Sequence, residues 1–185
     1  NKSIVTIFIN QPQFSRKSDY KNYPRVLKKD ISLLRKHNVD YLYLPAARQI
    51  YPIKPNKKIQ INALSKKLCG KFRPGHFEAV VDVIDRFLKI IKPSKIFLGE
   101  KDMQQLKIIE DFIKKNKIKT RVISCETIRE KNGLAYSSRN SLLSQKAKKI
   151  ASNIYQLLIK NKQNLIKRKI FLKLIKNEIL KLGAR

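Results

Sequence analysis

Cysteine, methionine and acidic residues are scarce in this chain, and long apolar runs are missing. The two cysteines, Cys69 and Cys125, have no metal-ligand spacing. That argues against a zinc finger or a disulfide framework and fits a reduced, cytoplasmic setting. No apolar run approaches the roughly 18 residues of a membrane-spanning helix, and no stretch has the make-up of a signal peptide. Aromatics do not interleave with basic runs and no RNP-like motif occurs, which argues against the common RNA-binding platforms. The only methionine is Met103. Asn1 is therefore not a natural start, and sequence upstream of it is expected.

Acids number 13 against 43 lysines and arginines, for a net charge of +30. A charge of this size could serve nucleic acid, a membrane surface or anionic substrates. It is spread along the whole chain, together with many Ile and Asn, as in an AT-rich coding sequence. It reads as a solvated surface with no specific nucleic-acid or membrane partner. The length, 185 residues, and a hydrophobic fraction of 42% suit one domain and perhaps a smaller second one.

What is present alternates. Ile4 to Ile9 is a continuous apolar run rich in β-branched residues, expected to be a buried parallel strand. Tyr41 to Leu44, Lys95 to Leu98 and Thr120 to Cys125 read as further strands, and Ile59–Ile61 as a short one after a loop holding Pro52 and Pro55. Pro24 is placed to start a helix carrying Leu27, Ile31 and Leu34. Phe77, Val80, Val81, Ile84, Phe87, Leu88 and Ile91 mark the clearest amphipathic helix. Leu106, Ile109 and Ile113 mark another. Alternating strands and helices predict an α/β fold with a doubly wound parallel sheet. Near Glu126 the character changes. A polar stretch leads into two Lys-rich helical patterns, the first with Ile150, Ile154 and Leu157, the second with Ile170, Leu174 and Ile175. Glu178 is their only acid.

Three loops would meet at the strand ends, where such sheets bind ligands. The first holds Asn10 and Gln13, amides that recognise hydroxyls and carboxylates without adding charge; a plain turn is the alternative. The second is Lys71–Phe77, just before the best helix. There Arg73 supplies a bidentate donor and His76 a titratable one at an amide-rich helix start. His37, late in its helix, reads as structural. The third, Thr127–Asn140, puts Ser137, Ser138 and Arg139 in a mobile polar loop able to close over phosphates, or else forms a surface turn with a serine cap. Between them lies Gly99-Glu100-Lys101-Asp102-Met103-Gln104-Gln105-Leu106, polar chemistry packed into a strand-to-helix turn.

Together and in this order the segments resemble the pantothenate synthetase (pantoate–β-alanine ligase) family of the HIGH-motif nucleotidyltransferase superfamily. They are Ile7–Phe14, Tyr23-Pro24-Arg25, Leu68–Phe77, Gly99–Leu106 and Gly133–Asn140. The resemblance runs from residue 4 to about residue 145. It implies a Rossmann-like nucleotide- and pantoate-binding domain over 1–126, lacking its N-terminal part. A smaller, mainly helical C-terminal lid domain follows over 127–185, shorter than the family's. The implied activity is condensation of pantoate with β-alanine through a pantoyl adenylate, with ATP as substrate, Mg²⁺ alongside it, and a homodimer. Carried over by motif, Gln13 and Gln105 would hold pantoate with Asn10 and His76, and Gln13 and Tyr23 would contact β-alanine. Gly99, Glu100, Lys101, Asp102, Ile128 (through its backbone) and Tyr136 to Arg139 would bind ATP, with Lys101, Ser137, Ser138 and Arg139 catalytic. Arg73 would line the same cavity. No protein metal site is implied.

The family's Met-Gly stretch and His-x-Gly-His, which stabilises the ATP phosphates, does not occur in these residues. These 185 residues alone are therefore expected to turn over very slowly. Met103 and Leu98 stand where the family has aromatics, and Asn132 where it has an acid. A basic nucleic-acid-binding protein and an inactive fragment or homologue of the ligase are the alternative readings.

Overall fold

The structure, a computed structural model, describes residues 2–52, 59–167 and 170–184. It divides into two compact units, Asn1–Glu126 and Thr127–Arg185.

In the first unit the elements run β1 (Ile4–Thr6), α1 (Lys17–Lys21), α2 (Leu27–Lys36), β2 (Tyr41–Tyr43), α3 (Ala47–Ile50), α4 (His76–Ile91), β3 (Lys95–Gly99), α5 (Met103–Lys115) and β4 (Arg121–Cys125). β1 and β2 pair in parallel, Ile4 opposite Tyr41, and β3 and β4 pair in parallel, Lys95 opposite Arg121. Each pair encloses helical chain, so both are βαβ crossovers. Among the described residues the strands form two bonded pairs rather than one continuous ladder.

α4 joins the two pairs. Its ring of Phe87 meets Phe8 and Tyr43 edge-on at 6.2 Å each. Its Phe77, Val80, Val81 and Leu88 interlock with Ile108, Ile109, Phe112 and Ile113 of α5, and Ile96, Leu98 and Val122 close this core from the second pair. Gly75, at φ 77°, turns the chain into α4, and Lys92, at φ 49°, ends it just before Pro93, a proline stop.

Several expectations are corrected. β1 ends at Thr6, not Ile9. Its partner stops at Tyr43, and after the Ile7 N–H bond to the Tyr43 carbonyl (3.1 Å) the chain has no ladder to continue. The strands are not buried on both faces. Ile96 and Leu98 reach the core, whereas Phe97 between them is 64% exposed and Tyr41 56%. Ile59–Ile61 is not a strand; both isoleucines pack against the core without a ladder partner. Pro55 lies outside the described residues. Pro24 does not start α2, which begins at Leu27 after Val26.

The described residues of the second unit hold α6 (Gln145–Lys160), α7 (Lys162–Lys167) and α8 (Ile170–Lys181), and the two Lys-rich patterns fall on α6 and α8. The Ser144 hydroxyl caps α6, accepting from the Ala147 N–H at 3.2 Å. α6 packs on α8, which buries Ile175; the Ile170 side chain lies outside the described residues. No described helix is long and apolar enough to cross a membrane.

Candidate active site

β1 runs straight into Asn10-Gln11-Pro12-Gln13, where proline favours a tight turn over more strand. One 3-10 turn, Gln11–Gln13, closes with the Gln13 N–H on the Asn10 carbonyl (3.2 Å). Asn10 is only 2% exposed. Its amide nitrogen donates to Gln13 Oε1 (3.2 Å) and to the Ala79 carbonyl of α4 (3.1 Å), while its Oδ1 accepts from the Tyr51 hydroxyl at 2.7 Å. The Gln13 carbonyl also accepts from His76 Nδ1 (2.8 Å) and from the Arg73 guanidinium (3.3 Å). Four residues read from the sequence as site candidates, Asn10, Gln13, Arg73 and His76, thus form one knot between the end of β1 and the start of α4.

A carbonyl only accepts, so His76 carries its proton on Nδ1 and leaves Nε2 bare. Burial pushes its pKa below 6.5, and the nearby Arg73 charge adds to this; the bond to Gln13 and the charges of Asp102 and Glu78 pull the other way. The sign for stability follows. Folded His76 holds its proton less tightly than unfolded His76, so the unfolded chain binds more protons below pH 6.5. Stability is flat above that pH and falls as pH drops beneath it. Thermal melts at pH 7.5 and 5.5 check this: His76→Asn should shrink the difference between them.

Tyr23 sits edge-on to Phe14 at 5.6 Å. Arg25, with no role read from the sequence beyond its motif, bonds the carbonyls of Lys21 (3.2 Å), Tyr23 (3.0 Å) and Tyr20 (3.1 Å). It fastens α1 to the segment behind it.

At the end of β3, a Cβ on Gly99 would meet open space. Glu100–Asp102 form a single turn before α5. Lys101 Nζ rests on both Asp102 oxygens, at 3.0 and 3.1 Å. Asp102 leads into α5 without a side-chain cap bond. The two adjacent glutamines part ways. Gln104 donates to the carbonyls of Leu64 (2.9 Å) and Lys67 (2.7 Å) and accepts from the Cys69 N–H (3.1 Å). It is a structural latch whose bonding partners lie some 35 to 40 residues away, and nothing local in the sequence marks it. Gln105 is half-buried.

A cavity of about 840 Å³ lies between α1 and the start of α4, bordered by Gln11, Phe14, Tyr20, Gly75, Glu78 and Asp82. Neither Gln13 nor Lys101 borders it.

In the second unit the stretch expected to be an open, mobile loop is a bonded hairpin. Arg129 and Ala135 bridge antiparallel, the Glu130 and Leu134 backbones bond at 2.8 Å, and the Tyr136 N–H reaches the Ile128 carbonyl at 3.1 Å. Arg129 donates to the Gly133 carbonyl (3.1 Å) and stacks over Tyr155, 3.9 Å from its centroid. Ser152 and Gln156 of α6 both bond the Asn132 carbonyl. Ile128 is 70% exposed, and Tyr136 projects likewise. Ser137 caps the turn Ser138–Leu142, its Oγ accepting from the Arg139 N–H at 3.3 Å. Gly133, at φ 89°, has no room for a side chain: a Cβ would stand 2.3 Å from the Tyr155 ring. Gly133→Ala is expected to destabilise the second unit by about 2 kcal/mol, read as a lower urea midpoint. An unchanged midpoint would show the hairpin is not pinned on α6.

Parallel βαβ units with polar turns at the carboxyl ends of β1 and β3 define an α/β protein of the nucleotidyltransferase-like fold. Comparison with known proteins narrows this. The family model described as pantoate-beta-alanine ligase matches residues 1–184. The pantothenate synthetase of Sulfurihydrogenibium sp. is 40% identical over 161 residues, 87% of this chain and 58% of its own length. That of Buchnera aphidicola subsp. Acyrthosiphon pisum is 44% identical over 89% of this chain and 58% of its own. The crystal structure of pantoate-beta-alanine ligase from Francisella tularensis, complexed with β,γ ATP and β-alanine, superposes with a TM-score of 0.88 at 37% identity. The match covers all of this chain and 69% of that one. The chain belongs to the pantoate–β-alanine ligase family, and it spans about 58% of the length of the Sulfurihydrogenibium relative.

Proposed function

We propose that the protein condenses pantoate with β-alanine at the expense of ATP, releasing AMP and pyrophosphate. The observation that carries this reading is the knot of Asn10, Gln13, Arg73 and His76 at the end of β1, in a chain that aligns throughout with a ligase described in complex with an ATP compound and β-alanine. Uncharged amides suit a small hydroxy acid, because they hold hydroxyls and a carboxylate without neutralising the nucleophile.

The chemistry has two steps. A pantoate carboxylate oxygen attacks the α-phosphorus of ATP, and pyrophosphate leaves. The β-alanine amine then attacks the acyl carbon of pantoyl adenylate, and AMP leaves with the bridging oxygen. Gln13 and Gln105, with Asn10 and His76 behind them, hold pantoate for in-line attack, and the gain is one of orientation. Tyr23 joins Gln13 at β-alanine. Gly99, Glu100 and Asp102 line the nucleotide, and the Ile128 backbone and Tyr136 serve its base and phosphates. Lys101, Ser137, Ser138 and Arg139 donate to phosphate oxygens where negative charge builds. Arg73 adds positive charge beside His76.

Mg²⁺ fits as a companion of ATP, since that ion keeps most of its waters and takes phosphate oxygens with only one or two carboxylates. The half-buried Glu100 and the exposed Asp102 beside Lys101 are the carboxylates on hand. When bound it neutralises phosphate charge.

The reading includes a homodimer and a cytoplasmic setting; two exposed free thiols, Cys69 and Cys125, suit a reducing compartment. Light scattering on the full-length protein at micromolar concentration should return twice the chain mass. Pantoate-dependent ATP–pyrophosphate exchange by the full-length protein, in the absence of β-alanine, tests the reaction. Exchange that needs no pantoate would remove the acid from the first step.

A further inference from the structure

Behind the knot at Gln13 lies a second set of polar groups that the reaction does not touch. Tyr51 closes α3 and reaches back to Asn10 with its hydroxyl, 2.7 Å from Oδ1. Its ring is held in place from two directions. The Arg86 guanidinium lies 4.7 Å from the ring centroid and Phe8 6.4 Å. Arg86 is itself fixed, donating to buried Asp82 (3.0 Å) and to the carbonyl of Ile50 (3.0 Å).

The polarity of this chain of groups has one solution. The Ala79 carbonyl only accepts, so the Asn10 atom 3.1 Å from it is the NH₂ group. The opposite end, Oδ1, therefore faces Tyr51 and must receive the hydroxyl proton. Burial pushes the Tyr51 pKa up to about 12, so that proton stays through the working pH range. The second hydrogen of the Asn10 amide goes to Gln13 Oε1, at 3.2 Å. That fixes which end of the Gln13 amide faces Asn10: Oε1 is turned toward it, and the two Nε2 hydrogens are the end left to a ligand.

We propose that Tyr51 is a positioning residue: through Asn10 it locks the Gln13 amide so that Gln13 offers a donor to substrate. The proposal rests on the functional reading above, in which Gln13 holds pantoate. It deepens that reading by naming what Gln13 can recognise: an acceptor, either a carboxylate oxygen or a hydroxyl lone pair.

Tyr51→Phe keeps the ring and its stacking on Arg86 and removes only the hydroxyl. In the full-length protein it is expected to raise the pantoate KM about five- to ten-fold with the ATP KM close to wild type, and to lower the melting temperature by a few degrees, because the buried Asn10 Oδ1 loses its donor. In a Gln13→Ala background the same change should add nothing, because Tyr51 acts through Gln13. A penalty that persists there, or one that strikes the pantoate and ATP KM values alike, would make Tyr51 merely structural and overturn the proposal. A substrate-free readout separates this from failure of the functional reading. In the wild type the Asn10 side-chain amide protons should exchange slowly by NMR, and in Tyr51→Phe about ten-fold faster. Unchanged exchange overturns the lock itself. Faster exchange in a protein that ignores pantoate upholds the lock and overturns its assignment to that acid.

Discussion

Lys101→Ala in the full-length protein is expected to lower kcat for pyrophosphate release about 100- to 1000-fold, the cost of losing one charged donor at a developing oxyanion. The pantoate KM should change little, since the acid is assigned to Gln13 and Gln105. Lys101 stands on the single turn between β3 and α5, where its Nζ rests on Asp102 and both side chains are largely exposed. An exposed pair of this kind is worth little, so the ammonium is free to trade Asp102 for a phosphate. Lys101→Arg should recover part of the rate, since the charge survives at another reach. A loss below about three-fold would remove Lys101 from the phosphates, given the magnitude expected of such donors.

Gly70→Ala carries the second large effect, and it acts on stability. Gly70 lies midway along the 3-10 turn Leu68–Phe72, so near Ser65 that a Cβ would stand 1.7 Å from the Ser65 carbonyl oxygen and 3.3 Å from the Phe77 ring. Backbone cannot rotate away as a side chain can. Ser65 is buried, and Phe77 belongs to the central core. The same segment is tied to α5 by Gln104 through the carbonyls of Leu64 and Lys67 and the amide of Cys69. The clash must therefore move the start of α4 or break that latch. The expected loss is about 3–5 kcal/mol, or a melting temperature lower by roughly 10–15 °C for a chain of this size. A variant that melts within about two degrees of wild type would contradict the packing described here, by the same conversion.

Helix periodicity carried the first unit. α4 and α5 turn the side chains marked by their spacing inward, buried or half-buried, and the strand cores fall inside the apolar runs read as strands. Strand lengths and faces were less legible. β1 stops where its partner stops, which an isolated sequence run cannot show, and the exposure of Phe97 and Tyr41 depends on tertiary packing that a run of apolar residues does not reveal. Among the candidate site residues, Asn10, Gln13, Arg73 and His76 could be grouped because their motifs stand at chain ends that α/β folds bring together. Tyr51 could not be found that way: its bond to Asn10 spans 41 residues and passes through no motif. The Gln104–Gln105 pair was half legible. Helical spacing separates them by about 100°, but only the position of the Leu64–Cys69 segment shows that Gln104 is spent on structure. The hairpin over 128–136 was hidden for a different reason. Its polar residues read as open loop, while the contacts that pin it come from Ser152, Tyr155 and Gln156 of α6.

The central claim is that a carboxylate oxygen of the acid bonds to the α-phosphorus of ATP before the amine arrives. Pantoate labelled with ¹⁸O in its carboxylate tests it most directly. The account expects one labelled oxygen to appear in AMP for each amide formed, and none in pyrophosphate. Label left out of AMP, or recovered in pyrophosphate, would contradict it.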